Sequence, residues 1–236
     1  MSRAERSRDN RTMTHDWHAL LATATDDFTR TIGEVDPVAV VPSCPGWTVT
    51  DLVDHVGGVH QWAQHAVVEG NPEGQPESPA PGADLPSWYA GHATALRDTL
   101  TTVGPDVPAW TFGTERTAGW WLRRQTHETL MHTRDLLAAG DRVDEWTVEP
   151  ALAWDGVAEV ATEFYPRQVR LGRTDPLPGT LRLIATDVDA EPITIGAAEP
   201  VVEVRAPAAE VLLLLWHRRT SDDAAAAALL ALPIAP

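Results

Sequence analysis

Glu128 and His132 stand four residues apart in the string RRQTHETLMHTRD. On a helix this spacing puts a carboxylate and an imidazole on one face, one turn apart, where both can grip a single cation. Arg124 comes four residues before Glu128, and Asp135 three after His132. The four side chains fall within an arc of roughly 80° and form an ionisable stripe. Trp120 and Met131 flank it on one side. Taken alone, the spacing favours a plainer explanation, a solvated face laced with i,i+4 ion pairs. H-E-x-x-x-H is also not the H-E-x-x-H zinc-protease pattern, because His127 and His132 diverge on a helix.

A second string, TVTDLVDHVGGVHQWAQH, holds His55, His60 and His65 at five-residue intervals. Five residues advance a helix by roughly 500°, so the three imidazoles point in different directions. At most one or two of them share a site, and by itself His55 reads as a solvated surface histidine. Combined with the first string the reading changes. One histidine from this helix, with Glu128 and His132, makes a set of two imidazoles and one carboxylate. Three protein ligands with an open position is the arrangement of catalytic zinc, though two histidines and a carboxylate also suit iron, nickel or cobalt. Facing helices of a bundle are where such a set is built.

The hydrophobic patterning supplies those helices. Trp17, Leu20, Leu21, Phe28 and Ile32 recur at helical intervals and predict a helix over 16–35. Pro37, Pro42 and Pro45 break the chain, and Thr48 with Asp51 forms a capping pattern ahead of a helix over 49–69. The acidic, Pro- and Gly-rich stretch that follows reads as a mobile, exposed loop, and residues 70–84 are a candidate cover for the site. Further helices fit 86–103 and 117–139, the latter stopping at Gly140 as a C-cap. Four helices in this span predict an antiparallel bundle with two longer connections. After residue 145 the pattern changes: a helix at 150–171, three β-like segments (TLRLIATD, PITIGA, VVEVRA), then helices at 207–217 and 221–231. The fold class is mainly α, with a leader over 1–15 expected to be disordered, a four-helix bundle over 16–145 and a small α+β domain over 146–236. Met13 is a candidate true start.

Composition removes several function classes. The chain has 236 residues and a formal charge of −16, which argues against nucleic acid or an anionic membrane as partner. No residue is Lys, so neither a Schiff-base lysine nor a P-loop lysine exists. The single Cys, Cys44, forbids an internal disulfide or a cysteine-rich metal site. It reads as structural or incidental, with Trp47 beside it anchoring the second helix. Ten Trp against three Phe and two Tyr is a skew; most read as core residues, and several as candidates to line a pocket. No signal peptide or spanning segment is legible, which predicts a cytoplasmic protein.

The strings CPGWTVTDLVDHVGGVHQWA and WLRRQTHETLMHTRDLLAAGD, in that order, resemble the mycothiol-dependent maleylpyruvate isomerase family. So does the stretch GTLRLIATD…ITIG…VEVRAPAAEVLLLLWHRR, and the likeness spans about residues 16–232. The resemblance implies a DinB-like four-helix metalloprotein domain followed by a small α/β domain. It implies His55, Glu128 and His132 as ligands of a divalent metal, zinc in the family, and mycothiol as thiol cosubstrate. Arg124 and Asp135 would then hold the ligands in place. Arg218 in LLLWHRR matches a late arginine that reaches the family's active site and binds a carboxylate, although His217 stands where relatives often have Gly. A helix-terminal arginine serving the helix dipole is the equal alternative for Arg218. The implied chemistry is addition of the thiol to a cis-enone, rotation and elimination, or transfer of the thiol onto an electrophile. The expected partners are a small-molecule substrate and the thiol, in a monomer or homodimer. A metalloenzyme of this fold acting without a thiol, and a non-catalytic relative binding metal or ligand, are the other two readings.

Overall fold

A computed structural model describes residues 15–236. The expected leader and the candidate start at Met13 lie outside the described residues, apart from His15. Helix α1 (Trp17–Ile32) is capped by Asp16 and closes at Gly33, short of the expected residue 35. Helix α2 (Val49–Glu69) opens on the predicted capping box, with Thr48 and Asp51 each accepting the other's backbone N–H. Helices α3 (Leu85–Val103) and α4 (Ala118–Ala139) match the patterning within a residue. α1 packs on α4 and α3, and α2 on α3 and α4. Phe28, Val49, Leu52, Tyr89 and Leu136 fill one end of the bundle. Leu21, Ala63, Leu96, Leu100 and Trp121 fill the other. Each fully buried leucine or phenylalanine contributes about 1.5–3 kcal/mol by leaving water. Gly57 lets α3 approach α2, since a Cβ there would sit 2.4 Å from the Trp88 ring.

His60 is fully buried between these helices. Its Nδ1 lies 2.7 Å from Gln125 Oε1 and its Nε2 2.9 Å from the Tyr89 hydroxyl. An amide oxygen only accepts, so Nδ1 carries the proton and Nε2 accepts from Tyr89. Burial pushes His60 down from 6.5 to about 4. It therefore stays neutral in the fold while the unfolded chain takes up a proton. Stability contributed by this group is complete above pH 6.5 and is lost as pH falls towards 4. The loss amounts to at most about 3 kcal/mol. Urea unfolding in chelator from pH 7 to 4 will show a shallower pH slope for His60→Gln than for wild type. Parallel curves would contradict this account.

The second half of the chain begins with α5 (Pro150–Glu159). A π turn (Val160–Phe164) carries it into α6 (Tyr165–Arg170). The sequence predicted one uninterrupted helix over 150–171. Pro166 explains the difference, because it has no N–H to give and its ring crowds the carbonyl one turn back. The wider turn just before it relieves that crowding. Strands β1 (Thr180–Ala185), β2 (Ile193–Ile195) and β3 (Val201–Ala206) form a sheet in the order β2-β1-β3. β1 runs antiparallel to β2, with Leu181 opposite Ile195, and parallel to β3, with Leu183 opposite Val204. Those four residues pack with Leu212 and Leu215 of α7 (Ala208–Leu215) and with Leu230 of α8 (Ala224–Leu230). Among the described residues no helix is long and apolar enough to cross a membrane.

Two local features position the site. His217, just past α7, has φ of 58°, and the N–H of Arg218 reaches back to the carbonyl of Leu213. This left-handed reversal, a place that favours glycine, turns the chain so that Arg218 faces α4. At the end of α4, Gly140 caps the helix at a negative φ of -96°, and Asp141 takes the left-handed position instead. The acidic loop is exposed, as expected, but it does not cover the site. Gln61 bonds Glu77 in both directions, and Trp62 Nε1 donates to the Pro72 carbonyl. The loop is thereby tied along the outside of α2, and none of its residues lines the central cavity.

Candidate metal centre

Helix α4 is nearly surrounded, by α1 and α2 on one side and by the second half of the chain on the other. This is why its ionisable stripe is buried: Arg124, His132 and Asp135 are all under 9% exposed. Glu128 Oε1 lies 3.1 Å from His55 Nε2 and 3.3 Å from His132 Nε2. The donor atoms of the three residues lie within 4.8 Å of one another. The capping box fixes the start of α2, and His55 stands in its second turn. Trp47 packs on the His55 ring with centroids 5.0 Å apart, which orients the imidazole. His60 and His65 diverge from it: His60 turns into the core, and His65 bonds Asn71. His127 points away from His132, to Asp155.

Every ligand candidate has a partner behind it. Arg124 Nη2 donates to Glu128 Oε2 at 2.7 Å, and Arg124 also pairs with the buried Glu159 of α5. Burial works against the charge on Glu128. The Arg124 guanidinium and hydrogen bonds from His132 and His55 outweigh it and hold the carboxyl well below its usual range. For Glu159 burial wins and pushes the carboxyl up. His132 Nδ1 donates to Asp135 Oδ2 at 3.0 Å, which leaves Nε2 free to face Glu128. Burial opposes a charge on His132, but hydrogen bonds and negative charge from Asp135 and Glu128 push it up to about 9. A divalent cation at this point would take the place of that proton.

Asp135 is the hub of a second layer. Its carboxylate accepts from Ser43 Oγ at 2.6 Å, from Arg218 Nε at 3.1 Å and from Arg218 Nη2 at 2.6 Å, besides His132. Burial disfavours its charge, but the bonds from His132 and Arg218 hold its carboxyl below the usual range. Arg218 also donates to the Trp216 carbonyl. The structure thus brings Arg218, Asp135, Arg124 and the trio together around one space. Cys44, His132 and Asp135 form an overlapping cluster. It suits a metal less well: burial and the charge of Asp135 push the Cys44 thiol up, and Asp135 is already engaged by Ser43 and Arg218.

The trio opens on a cavity of about 530 Å³ walled by Trp47, Trp62, Phe112, Trp121, Phe164 and Trp216. The wall is mainly apolar with a few polar and charged groups set into it, which is the usual make-up of a small-molecule site.

A model of the mycothiol maleylpyruvate isomerase N-terminal domain matches residues 6–137, and one of the MDMPI C-terminal domain matches residues 151–232. The chain belongs to the mycothiol-dependent maleylpyruvate isomerase family. A crystal structure of the mycothiol-dependent maleylpyruvate isomerase superposes with a TM-score of 0.62 at 17% identity, covering 87% of this chain and 89% of that one. A histidine-to-alanine variant of that isomerase gives 0.58 at 14% identity, covering 84% and 86%. At such identities the two structures establish the shared fold. No curated protein matches the sequence.

For a member of this isomerase family, several residues of the cavity carry no signal in the sequence. Ser43 lies in an irregular segment and meets Asp135 across 92 positions. Glu159 and Arg124 are 35 apart and join the two halves of the chain. Arg167 lines the cavity without belonging to any motif, and Gln125 does so inside the α4 string without being singled out by its spacing. Only the π turn, foreshadowed by Pro166 inside a helical pattern, hinted that the region around Arg167 is special.

Proposed function

We propose that the protein uses a divalent metal, zinc among those its donor set suits, to activate a low-molecular-weight thiol, mycothiol, against a small electrophile. The observation that carries this reading is the convergence of His55 Nε2, Glu128 Oε1 and His132 Nε2 at one end of an aromatic cavity. Two imidazole nitrogens and one carboxylate oxygen are the donors zinc takes in catalytic sites, with a position left for an outside ligand. The carboxylate of Asp135 on the far nitrogen of His132 is the customary support for a metal-binding imidazole. When bound, the ion would lower the pKa of a coordinated thiol and supply a nucleophile at neutral pH.

The residues of the chain do the rest. Glu128 and the two imidazoles fix where the sulfur sits. Asp135, held by Ser43 and Arg218, keeps His132 in one tautomer. Trp47, Trp121 and Trp216 exclude water from the reacting atoms. In an isomerisation the thiolate adds to a cis double bond conjugated to a carbonyl, and the electron pair moves onto oxygen. The new single bond rotates, and the thiolate leaves with its electrons as the trans double bond forms. In a transfer the carbon–sulfur bond stays, and the proton given up by the thiol ends on the carbon next to the carbonyl. Both follow from one placement of sulfur.

Calorimetric titration separates the thiol reading from thiol-independent chemistry. Mycothiol will release heat on binding zinc-loaded protein and none on binding chelated protein. Absence of binding to the loaded protein at millimolar thiol would remove the thiol from the reading and leave a metalloenzyme of the same fold.

A further inference from the structure

Three guanidinium groups line the cavity, and two are committed. Arg124 is held by Glu128 and Glu159, and Arg218 by both oxygens of Asp135 and by the Trp216 carbonyl. Arg167 differs. Among the described residues no carboxylate pairs with it. Its one neighbour of note is the Phe112 ring, whose centroid lies 5.0 Å from the guanidinium carbon. Burial lowers its pKa, and the like charges of Arg173 and Arg170 lower it further. A half-buried cation near two like charges is a cost to the free protein, and an anion placed against it would relieve that cost.

The chain holds this cation firmly. Glu163, on the π turn just before α6, accepts both the N–H of Thr114 at 2.8 Å and its hydroxyl at 2.6 Å. That strap ties the loop carrying Phe112 to the segment carrying Arg167. Gly113 is what lets the strap close, because a Cβ there would lie 2.3 Å from Trp120 Nε1 and 2.5 Å from Glu163 Oε2. Phe112 is in turn wedged against Trp120, with centroids 4.6 Å apart. A guanidinium backed by an aromatic face and open to a cavity presents its planar fork to whatever enters.

We infer that Arg167 is the anion subsite of the cavity and binds a carboxylate of the ligand that enters it. The inference deepens the proposed function and rests on its placing the electrophile in this cavity. Planar recognition of a carboxylate is what the arginine fork does best, and the aromatic walls suit a flat, conjugated carbon skeleton.

Maleate serves as the probe, with dimethyl maleate as its uncharged counterpart. Trp62, Trp121 and Trp216 line the cavity, so their fluorescence reports occupancy without any turnover. In chelated wild-type protein maleate will quench this emission saturably, and more tightly than the diester does. Arg167→Gln will weaken maleate at least about tenfold, the loss expected for a charge-assisted hydrogen bond, and will leave the diester unchanged. Arg167→Lys keeps the charge but not the fork and will fall between the two. Equal maleate affinity in wild type and Arg167→Gln overturns the subsite, and so does a chelated wild type that shows no saturable binding at millimolar maleate. Because the ion is absent from this assay, its result is independent of thiol binding. Mycothiol can fail to bind loaded protein while Arg167 still holds maleate, and the reverse outcome removes Arg167 alone.

Discussion

Glu128→Ala will strip the protein of its divalent ion and leave the fold standing. Wild type, purified without a tag, will carry about one zinc per chain, and the variant less than about a tenth of that. Two opposing effects decide the result. Removing the carboxylate takes one of three donors, and it is the donor that both imidazoles face at 3.1 and 3.3 Å. The same change deprives Arg124 of one partner, yet Arg124 keeps Glu159, so no buried cation is left alone. His132 likewise keeps Asp135. Stability without metal therefore changes little, and the main loss is affinity. Inductively coupled plasma mass spectrometry reads the stoichiometry, and thermal melts with and without zinc read the linkage. Zinc at a hundred times its dissociation constant stabilises a folded binder by about 2.7 kcal/mol, and the Glu128→Ala melt will not respond. A variant that retains stoichiometric metal, or a well-folded wild type with none, would return the stripe on α4 to an ion-pair network.

The sequence made the α4 stripe legible and misjudged its surroundings. Periodicity placed Arg124, Glu128, His132 and Asp135 on one face, because helical geometry depends only on spacing. Spacing holds no information about what covers that face. A solvated stripe and a buried one read alike, and the difference here comes from Glu159 of α5 and from Arg218 beyond α7. Those contacts cross the chain, and only the resemblance to a family anticipated one of them, Arg218. The break between α5 and α6 was visible as Pro166 but was smoothed over by the hydrophobic pattern around it. The attachment of the acidic loop is illegible for a different reason. Its composition predicts mobility, yet Gln61 and Trp62 of α2 supply the bonds that fasten it, and composition cannot see partners.

Asp135→Asn will cost more stability than any other single change in the cavity wall, and it will also loosen the metal. The carboxylate is fully buried and accepts hydrogen bonds from Ser43, from His132 and twice from Arg218, with the Cys44 sulfur 3.9 Å away as a weaker donor. An amide of the same size has one accepting oxygen and no charge. Arg218 then keeps the Trp216 carbonyl and a weak contact with the Cys44 sulfur, and is left a mostly buried cation without a counterion. Breaking a buried pair in this way costs about 3–5 kcal/mol, or about 10 °C in Tm for a chain of this size. His132 loses the group that fixes its tautomer, and loss of such support lowers metal affinity by about 10–100-fold. The two effects separate in a double-mutant cycle. Arg218→Met in the Asp135→Asn background removes the stranded cation, so it will recover part of the lost stability and none of the zinc affinity. If Arg218→Met costs as much in that background as in wild type, Asp135 and Arg218 are not coupled. If zinc affinity returns along with stability, Asp135 acts on the metal only through Arg218 and not by orienting His132.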